Sequence, residues 1–127
     1  MRILELYLKG QVRGGKNNMR MTRTGRHYPD PKFVLWRADM LRQIAKQLPT
    51  IHTITEYGFH WCFEYTPEDK RRRDIPAVLD AVFHVLEKAF IVRDDFQIQN
   101  IEFRTLEANK DNAGILIHVG LSKGDLL

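Results

Sequence analysis

The spacing of apolar residues changes several times along this chain, and those changes limit the folds it can adopt. Leu4, Leu6 and Leu8 recur at every second position, which is the spacing of a β-strand. Residues 32–48 instead place apolar side chains at helical spacing and end before Pro49. Spacing of two returns in residues 51–65, helical spacing returns from Ile75, and two further alternating runs follow at 101–105 and 115–121.

This order predicts strand, loop, helix, strand, helix, strand, strand (β-loop-α-β-α-β-β). We therefore expect an α+β fold with a mixed four-stranded sheet and two main helices on one of its faces. The segment "EANKDNAG", residues 107–114, is expected to be a hairpin connection between the last two strands. Because 127 residues suffice for one core and not for two ordinary domains, residues 1–127 are predicted to form a single domain.

The second predicted strand carries an aromatic side chain at every other position. We expect this stripe to face the core, because helices are available to cover it, while a base-stacking surface is the alternative. The residues concerned are Tyr57, Phe59, Trp61, Phe63 and Tyr65.

Composition favours a soluble globular protein, with 43% apolar and 28% charged residues. No apolar run approaches the roughly 20 residues of a membrane-spanning helix, and "RILELYLKG" at the start does not resemble a secretory signal. We therefore expect a cytoplasmic protein that does not enter a membrane. The single Cys62 is expected to be a small buried apolar residue.

Basic residues are concentrated in two clusters, although the formal net charge is only +4. The segment 9–31 is predicted to be a long basic loop, since its glycines, asparagines and prolines show no lasting periodicity and its first acid is Asp30. The second cluster is an unbroken row between Asp69 and Asp74. Polyanion binding is the functional interpretation of both, and a solvated surface is the alternative. The candidate DNA-binding residues are Lys16, Arg20, Arg23, Arg26, Lys70, Arg71, Arg72 and Arg73.

Two groups of acids flank the second predicted helix. Asp74 is the expected N-cap, and Pro76 lies in the first turn, where its missing N–H costs nothing. Asp94 and Asp95 follow the helix, where acids are also common as simple turn residues. A helix of about 16 residues is roughly 24 Å long. The two groups could therefore share one site only if another part of the fold, or a second subunit, brought them together.

The run "DKRRRDIPAVLDAVFHVLEKAFIVRDDFQI", residues 69–98, resembles the RusA-type Holliday junction resolvases, and "GKNNMRMTRTGRHYPDPKFVLWR" is similar to the N-terminal loop of that family. The resemblance implies a homodimeric, Mg²⁺-dependent endonuclease, with Mn²⁺ as the alternative ion, that cuts four-way DNA junctions by paired phosphodiester hydrolysis. It assigns Asp74 and Asp95 as metal ligands, and we expect Asp94 and Asp80 to assist them as further metal ligands. Carboxylates suit this role because Mg²⁺ prefers oxygen ligands and retains waters.

The chain departs from the family motif after Asp74. The motif continues Asp-x-Asp-Asn with a Lys one turn later, whereas this chain has Pro76 and Ala77 in place of the second acid and the Asn, and Asp80 in place of the Lys. Positions 76 and 80 share one helix face, so one hypothesis is that Asp80 supplies the missing carboxylate and acts with Asp74 and Asp95 in catalysis. The alternatives are a solvated Asp80 in a protein that binds junctions without cutting them, or an RNA-binding or other phosphate-binding module.

Overall fold

The computed structural model describes residues 2–14, 19–122 and 124. Its strands and helices, in chain order, are β1 (Arg2–Lys9), β2 (Met19–Met21), β3 (His27–Pro29), α1 (Pro31–Gln47), β4 (His60–Thr66), α2 (Ile75–Lys88), β5 (Asn100–Thr105) and β6 (Gly114–Gly120). A short 3-10 helix, Asp95–Gln97, precedes β5. No helix in these described ranges is long and apolar enough to span a bilayer.

Four strands form one mixed sheet in the order β1-β6-β4-β5. The pairs β1/β6 and β6/β4 are antiparallel, and β4/β5 is parallel. Leu6, Ile117 and Phe63 lie side by side across three strands and are completely buried. The apolar stripes of both helices belong to the same core, so α1 and α2 cover this face of the sheet. The predicted α+β class, with a mixed four-stranded sheet and two main helices, is confirmed.

Helix α1 packs its apolar stripe on the sheet and also closes one sheet edge. Asp30 caps the helix by accepting a hydrogen bond from the N–H of Lys32 at 2.9 Å. Farther along, the Gln43 amide bonds to the N–H and C=O of Lys9 at 2.7 and 2.9 Å. The Gln47 amide does the same at Tyr7, at 2.9 and 2.5 Å. The two glutamines therefore occupy hydrogen-bonding groups on the outer edge of β1.

Helix α2 is the crossover between the parallel strands β4 and β5. Its buried residues recur at helical spacing and comprise Val78, Ala81, Val82, Val85 and Leu86. The helix ends at Lys88, after which Phe90 adopts a left-handed backbone conformation with φ 60° and is exposed. In a parallel crossover the helix begins near the carboxyl ends of the strands and ends near their amino ends. The two ends of α2 therefore lie near opposite ends of these strands.

Two predictions about strands need correction. The aromatic strand begins at His60, not at residue 51, because Tyr57 is 51% exposed and packs edge-on against Phe96 in place of joining the sheet. Trp61, Phe63 and Tyr65 are buried, as predicted. Residues 107–114 do not form a hairpin, since β5 and β6 lie on opposite sides of β4. The connection instead passes the end of β4, where the N–H of Leu106 bonds to the Tyr65 carbonyl at 2.7 Å.

The basic loop contains secondary structure that the sequence did not predict. Strands β2 and β3 pair in antiparallel register, from Met19 opposite Pro29 to Met21 opposite His27. Thr22 closes the turn, because its carbonyl accepts the N–H of Gly25 at 3.0 Å and its hydroxyl accepts that of Arg26 at 3.1 Å. Gly25 has a φ of +84°, a conformation that glycine adopts without steric cost. Cys62 is buried, as expected.

Candidate functional site

The two basic clusters meet at one cavity of about 380 Å³. Three separate segments supply its walls: the start of the basic loop, the first turn of α1, and the row that precedes α2. Basic residues on the walls are Arg13, Lys32, Arg71, Arg72 and Arg73, and the acids are Asp30 and Glu68. The fold thus gathers positive charge that is spread over about 60 positions of sequence into one surface.

Gln11 fixes the start of the basic loop against the end of β4. Its amide nitrogen donates to the Tyr65 hydroxyl at 2.6 Å, and its amide oxygen accepts the N–H of Glu68 at 2.8 Å. Three residues later, a Cβ placed on Gly14 would lie 3.5 Å from the Cβ of Ala77 in α2. These contacts hold Arg13 between the end of β4 and the beginning of α2.

Within the basic row, Arg73 has a structural role. Its guanidinium lies 2.8 Å from an oxygen of Asp69, donates to the Arg71 carbonyl at 2.8 Å, and is only 20% exposed. The bond from the Arg71 N–H, followed by the bond from Arg73, lowers the pKa of the Asp69 carboxyl. The hydrogen bond to Asp69 likewise raises the pKa of the Arg73 guanidinium. Asp69 and Arg73 therefore remain a charged pair that shapes the row.

The other three cations of the row are directed to solvent. Lys70 and Arg72 are exposed, and the Arg71 side chain is 87% exposed with its Nε 3.7 Å from Asp69. An exposed ion pair of that length contributes little stability. Lys70, Arg71 and Arg72 are consequently the members of the row that are placed to contact an external polyanion.

Asp74 occupies the N-cap position of α2, as predicted, but its side chain makes no capping hydrogen bond. The residue is exposed and lines a cavity of about 590 Å³ together with Arg72, Arg73, Ile75 and Pro76. The predicted N-cap position is confirmed, but the hydrogen bond that an N-cap carboxylate usually accepts from the first turn is absent. Asp74 therefore lies in a recess lined by Arg72 and Arg73, at the positive end of the α2 dipole.

Asp80 lies on the side of α2 that faces the basic loop and α1. It shares a helical stripe with Ala77 and His84. Ala77 faces Gly14, where an added Cβ would lie 3.5 Å from the Ala77 Cβ, and the His84 Nε2 lies 3.2 Å from a guanidinium nitrogen of Arg37 in α1. Asp80 is half-buried between these two contacts. Its position is closer to the basic cavity along the helix than to the turn that follows α2.

The acidic pair after α2 lies in a tightly hydrogen-bonded turn. Asp94 caps the 3-10 helix by accepting the N–H of Phe96 at 2.9 Å. Gln97 is 2% exposed, and its amide oxygen accepts the N–H groups of Arg93 and Asp94 at 2.8 and 3.1 Å. Its amide nitrogen donates to the Ile54 carbonyl at 2.7 Å. Asp94 therefore has a structural function, while the adjacent Asp95 is half-buried.

The structure does not bring the predicted metal ligands together within one chain. Asp74 and Asp95 flank α2, whose 14 residues span about 21 Å. Among residues 2–14, 19–122 and 124, no three His, Cys, Asp or Glu side chains are grouped so that they could hold a metal ion. The described acids therefore form no preassembled group of three ligands, although Mg²⁺ in proteins is usually held by one or two carboxylates together with waters and substrate phosphates.

The remaining predicted DNA contacts lie on or near the β2/β3 hairpin. Arg23 and Arg26 are exposed in its turn, and Arg20 lies on β2. Lys16 falls outside the described residues. The hairpin therefore adds basic groups on the chain segment that leads from Arg13 to α1.

Sequence reasoning missed the two glutamines that position the site. Gln97 has a local signal, because Asp94 and Gln97 form a capping box in which both reciprocal bonds are present. Gln11 has none, since its partner Tyr65 is 54 positions away.

A comparison with models of known protein families finds no match for this chain, and a search of curated proteins finds no matching relative. The resemblance to RusA-type resolvases therefore remains a prediction based on the quoted motifs. The geometry itself provides a basic recess at a helix N-terminus, which is chemically suited to phosphate groups.

Proposed function

We propose that this chain binds the phosphodiester backbone of branched DNA through a basic surface formed by Arg13, Lys32, Lys70, Arg71 and Arg72. The observation that carries the proposal is the single cavity to which three separate chain segments contribute cations. Lysine and arginine side chains that neutralise phosphates release condensed counterions, which provides most of the sequence-independent affinity for DNA. The exposed side chains of the row satisfy this requirement, while Arg73 holds the row in shape.

The four-way junction is the DNA form that the motif resemblance favours. A junction presents several phosphate backbones at once, and the basic hairpin residues Arg23 and Arg26 extend the positive surface beyond the cavity. We therefore expect a junction to contact more cations than a duplex of equal length. The salt dependence of binding should be correspondingly steeper for the junction.

A second candidate function is the RusA-like, Mg²⁺-dependent cleavage of the bound junction. It is favoured by Asp74, whose exposed carboxylate makes no capping bond and lies beside Arg72 on one cavity wall. Because the acids of the described residues are not gathered in one group, we propose that carboxylates of a second chain complete the site. Binding without cleavage is the alternative outcome.

Binding is tested by gel shift in EDTA with a synthetic four-way junction and a matched duplex. The Arg71→Gln/Arg72→Gln variant should weaken junction binding at least about tenfold and reduce the salt slope by about 2. The matched control, Arg42→Gln/Lys46→Gln, removes the same charge from the exposed part of α1. If both variants weaken binding equally, the loss reflects net charge alone, and the assignment of DNA binding to this basic surface is wrong.

Cleavage is tested on the same junction with Mg²⁺ or Mn²⁺. Metal-dependent paired nicks that disappear in Asp74→Asn, while that variant still binds in EDTA, would establish the nuclease. Selective binding without cleavage in either metal would support the binding-only alternative. Absence of junction binding by the wild-type chain at low salt would refute both proposals.

A further inference from the structure

Strand β5 exposes a row of backbone hydrogen-bonding groups on the outer edge of the sheet. It is the last strand in the order β1-β6-β4-β5. The N–H of Leu106 points inward to the Tyr65 carbonyl, and consecutive residues of a strand direct their N–H and C=O groups to opposite sides. Ile101, Phe103 and Thr105 therefore point outward. Within the described part of the chain, these outward groups have no backbone partner.

The opposite edge of the sheet is not open in the same way. Gln43 and Gln47 of α1 satisfy the outward backbone groups of Lys9 and Tyr7 with both ends of their amides. In the four-stranded sheet, β5 is consequently the edge at which another strand can add. An exposed strand edge is a template for pairing with another chain.

The sequence of β5 is complementary to itself in antiparallel orientation. We propose that a second copy of this chain pairs with β5 about a two-fold axis that passes through Phe103. In this register Ile101 lies opposite the partner's Thr105, and Phe103 lies opposite the partner's Phe103. All three outward residues then exchange N–H and C=O bonds with the partner, since all fall at hydrogen-bonded positions.

The charges of β5 select this register over its neighbours. Glu102 lies opposite the partner's Arg104, and Arg104 lies opposite the partner's Glu102. Both pairs occupy non-hydrogen-bonded positions, where the Cα atoms approach to about 4.5 Å and side chains interact most closely. A slip by two residues in one direction places Glu102 opposite the partner's Glu102, and a slip in the other direction places Arg104 opposite the partner's Arg104. Like charges directly opposite each other are destabilising.

The same charged groups already interact within one chain. Arg104 lies 3.2 Å from Glu102 and 4.0 Å from Glu64 on the face of the sheet that the helices leave uncovered. The hydrogen bond to Glu102 raises the pKa of the Arg104 guanidinium. Pairing of two β5 strands joins these groups into a network of alternating sign. It also covers Ile101 and Leu106, which are 41% and 43% exposed.

This inference goes beyond the proposed function because it assigns the surface and the register through which two copies meet, and because self-pairing of β5 needs neither DNA nor metal. It is measured by sedimentation velocity over a range of concentrations of the full chain in EDTA. Wild type should show a concentration-dependent monomer–dimer equilibrium. Glu102→Arg places arginines opposite each other, and Arg104→Glu places glutamates opposite each other. Each variant should raise the dissociation constant about tenfold or more.

The decisive sample is an equimolar mixture of the two variants. A strand carrying two arginines is complementary to a strand carrying two glutamates, so the mixture should regain dimer that neither variant forms alone. Purely intrachain roles of Glu102 and Arg104 do not produce this rescue. A mixture that sediments as the average of its separate components overturns the proposal, as does a wild-type chain that remains monomeric throughout.

A crosslinking measurement addresses the register without changing charge. Ile101→Cys/Thr105→Cys should form a disulfide-linked dimer on mild oxidation, because opposed hydrogen-bonded residues have Cα atoms about 5.5 Å apart. Ile101→Cys alone should not, since in this register it is four positions from the partner's residue 101. Equal crosslinking of the single and double variants contradicts the register. Both positions are exposed, so the substitutions leave the core intact.

Discussion

Replacement of Gln97 with alanine removes the buried amide that holds the turn carrying Asp94 and Asp95. Two of its three hydrogen bonds go to N–H groups of exposed residues, Arg93 and Asp94. Water can replace the amide there, so we expect each lost bond to cost about 0.5–1.5 kcal/mol. The third bond goes to the carbonyl of Ile54, which is buried. An unsatisfied buried acceptor costs about 1–3 kcal/mol. The three costs add to about 2–6 kcal/mol, with a central value of about 4 kcal/mol.

The free energy of unfolding is measured by urea denaturation, followed by the fluorescence of the buried Trp36 and Trp61. Gln97→Ala should lower the midpoint with little change in the denaturant slope, because the folded state keeps its extent. For a domain of this size, the central value lowers the melting temperature by about 12–20 °C. The matched control is Gln99→Ala, an exposed glutamine two positions away, which should cost less than about 0.5 kcal/mol. The reasoning is refuted if the two variants are equally stable.

Two further perturbations test the fold and the basic row. Gly114→Ala should destabilise the protein by about 2–4 kcal/mol, because its φ is +154° and a Cβ would overlap the Leu8 carbonyl oxygen. Gly58→Ala, where no described atom lies within 4 Å, is the control, and equal thermal midpoints for the two would contradict the argument. At pH values above the ordinary carboxyl pKa of 3.8, Asp69→Asn should lower the melting temperature. The reason is that the hydrogen bonds from Arg71 and Arg73 lower the pKa of Asp69 in the folded protein. The difference from wild type should shrink as the pH falls below 3.8, and a difference that grows on acidification would show that the sign is wrong.

Elements with a strong local pattern were predictable, whereas pairing between distant segments was not. The leucines of β1 and the apolar stripes of α1 and α2 reflect burial on one face, which a sequence displays directly. Tyr57 has the same place in the alternating pattern as Trp61 and Phe63, but its side chain packs on Phe96 outside the sheet. The order of β5 and β6 also has no local signal, because both strands pair with β4 and not with each other.

The site was predicted in part for the same reason. The clusters of basic residues were evident from the sequence. The expected length of α2 also predicted that Asp74 and Asp95 lie far apart, and their positions at its two ends agree with this. The meeting of Arg13 with Arg71 and Arg72 depends on Gln11, which links segments more than 50 positions apart. The anchoring of Arg73 by Asp69 is local, but four consecutive cations give no indication of which one turns inward.

The glutamines of α1 limit how far such a sheet can extend. A strand-addition polymer needs two available edges on each molecule, one to accept the previous copy and one to receive the next. Since Gln43 and Gln47 occupy the outward backbone groups of Lys9 and Tyr7 on the β1 edge, β5 is the more open edge in the described part of the four-stranded sheet. Two copies joined there present only their blocked β1 edges to further molecules. Under the proposed β5 pairing, association through the four-stranded sheet would therefore end at two copies, and α1 would limit further growth while it also contributes to the core.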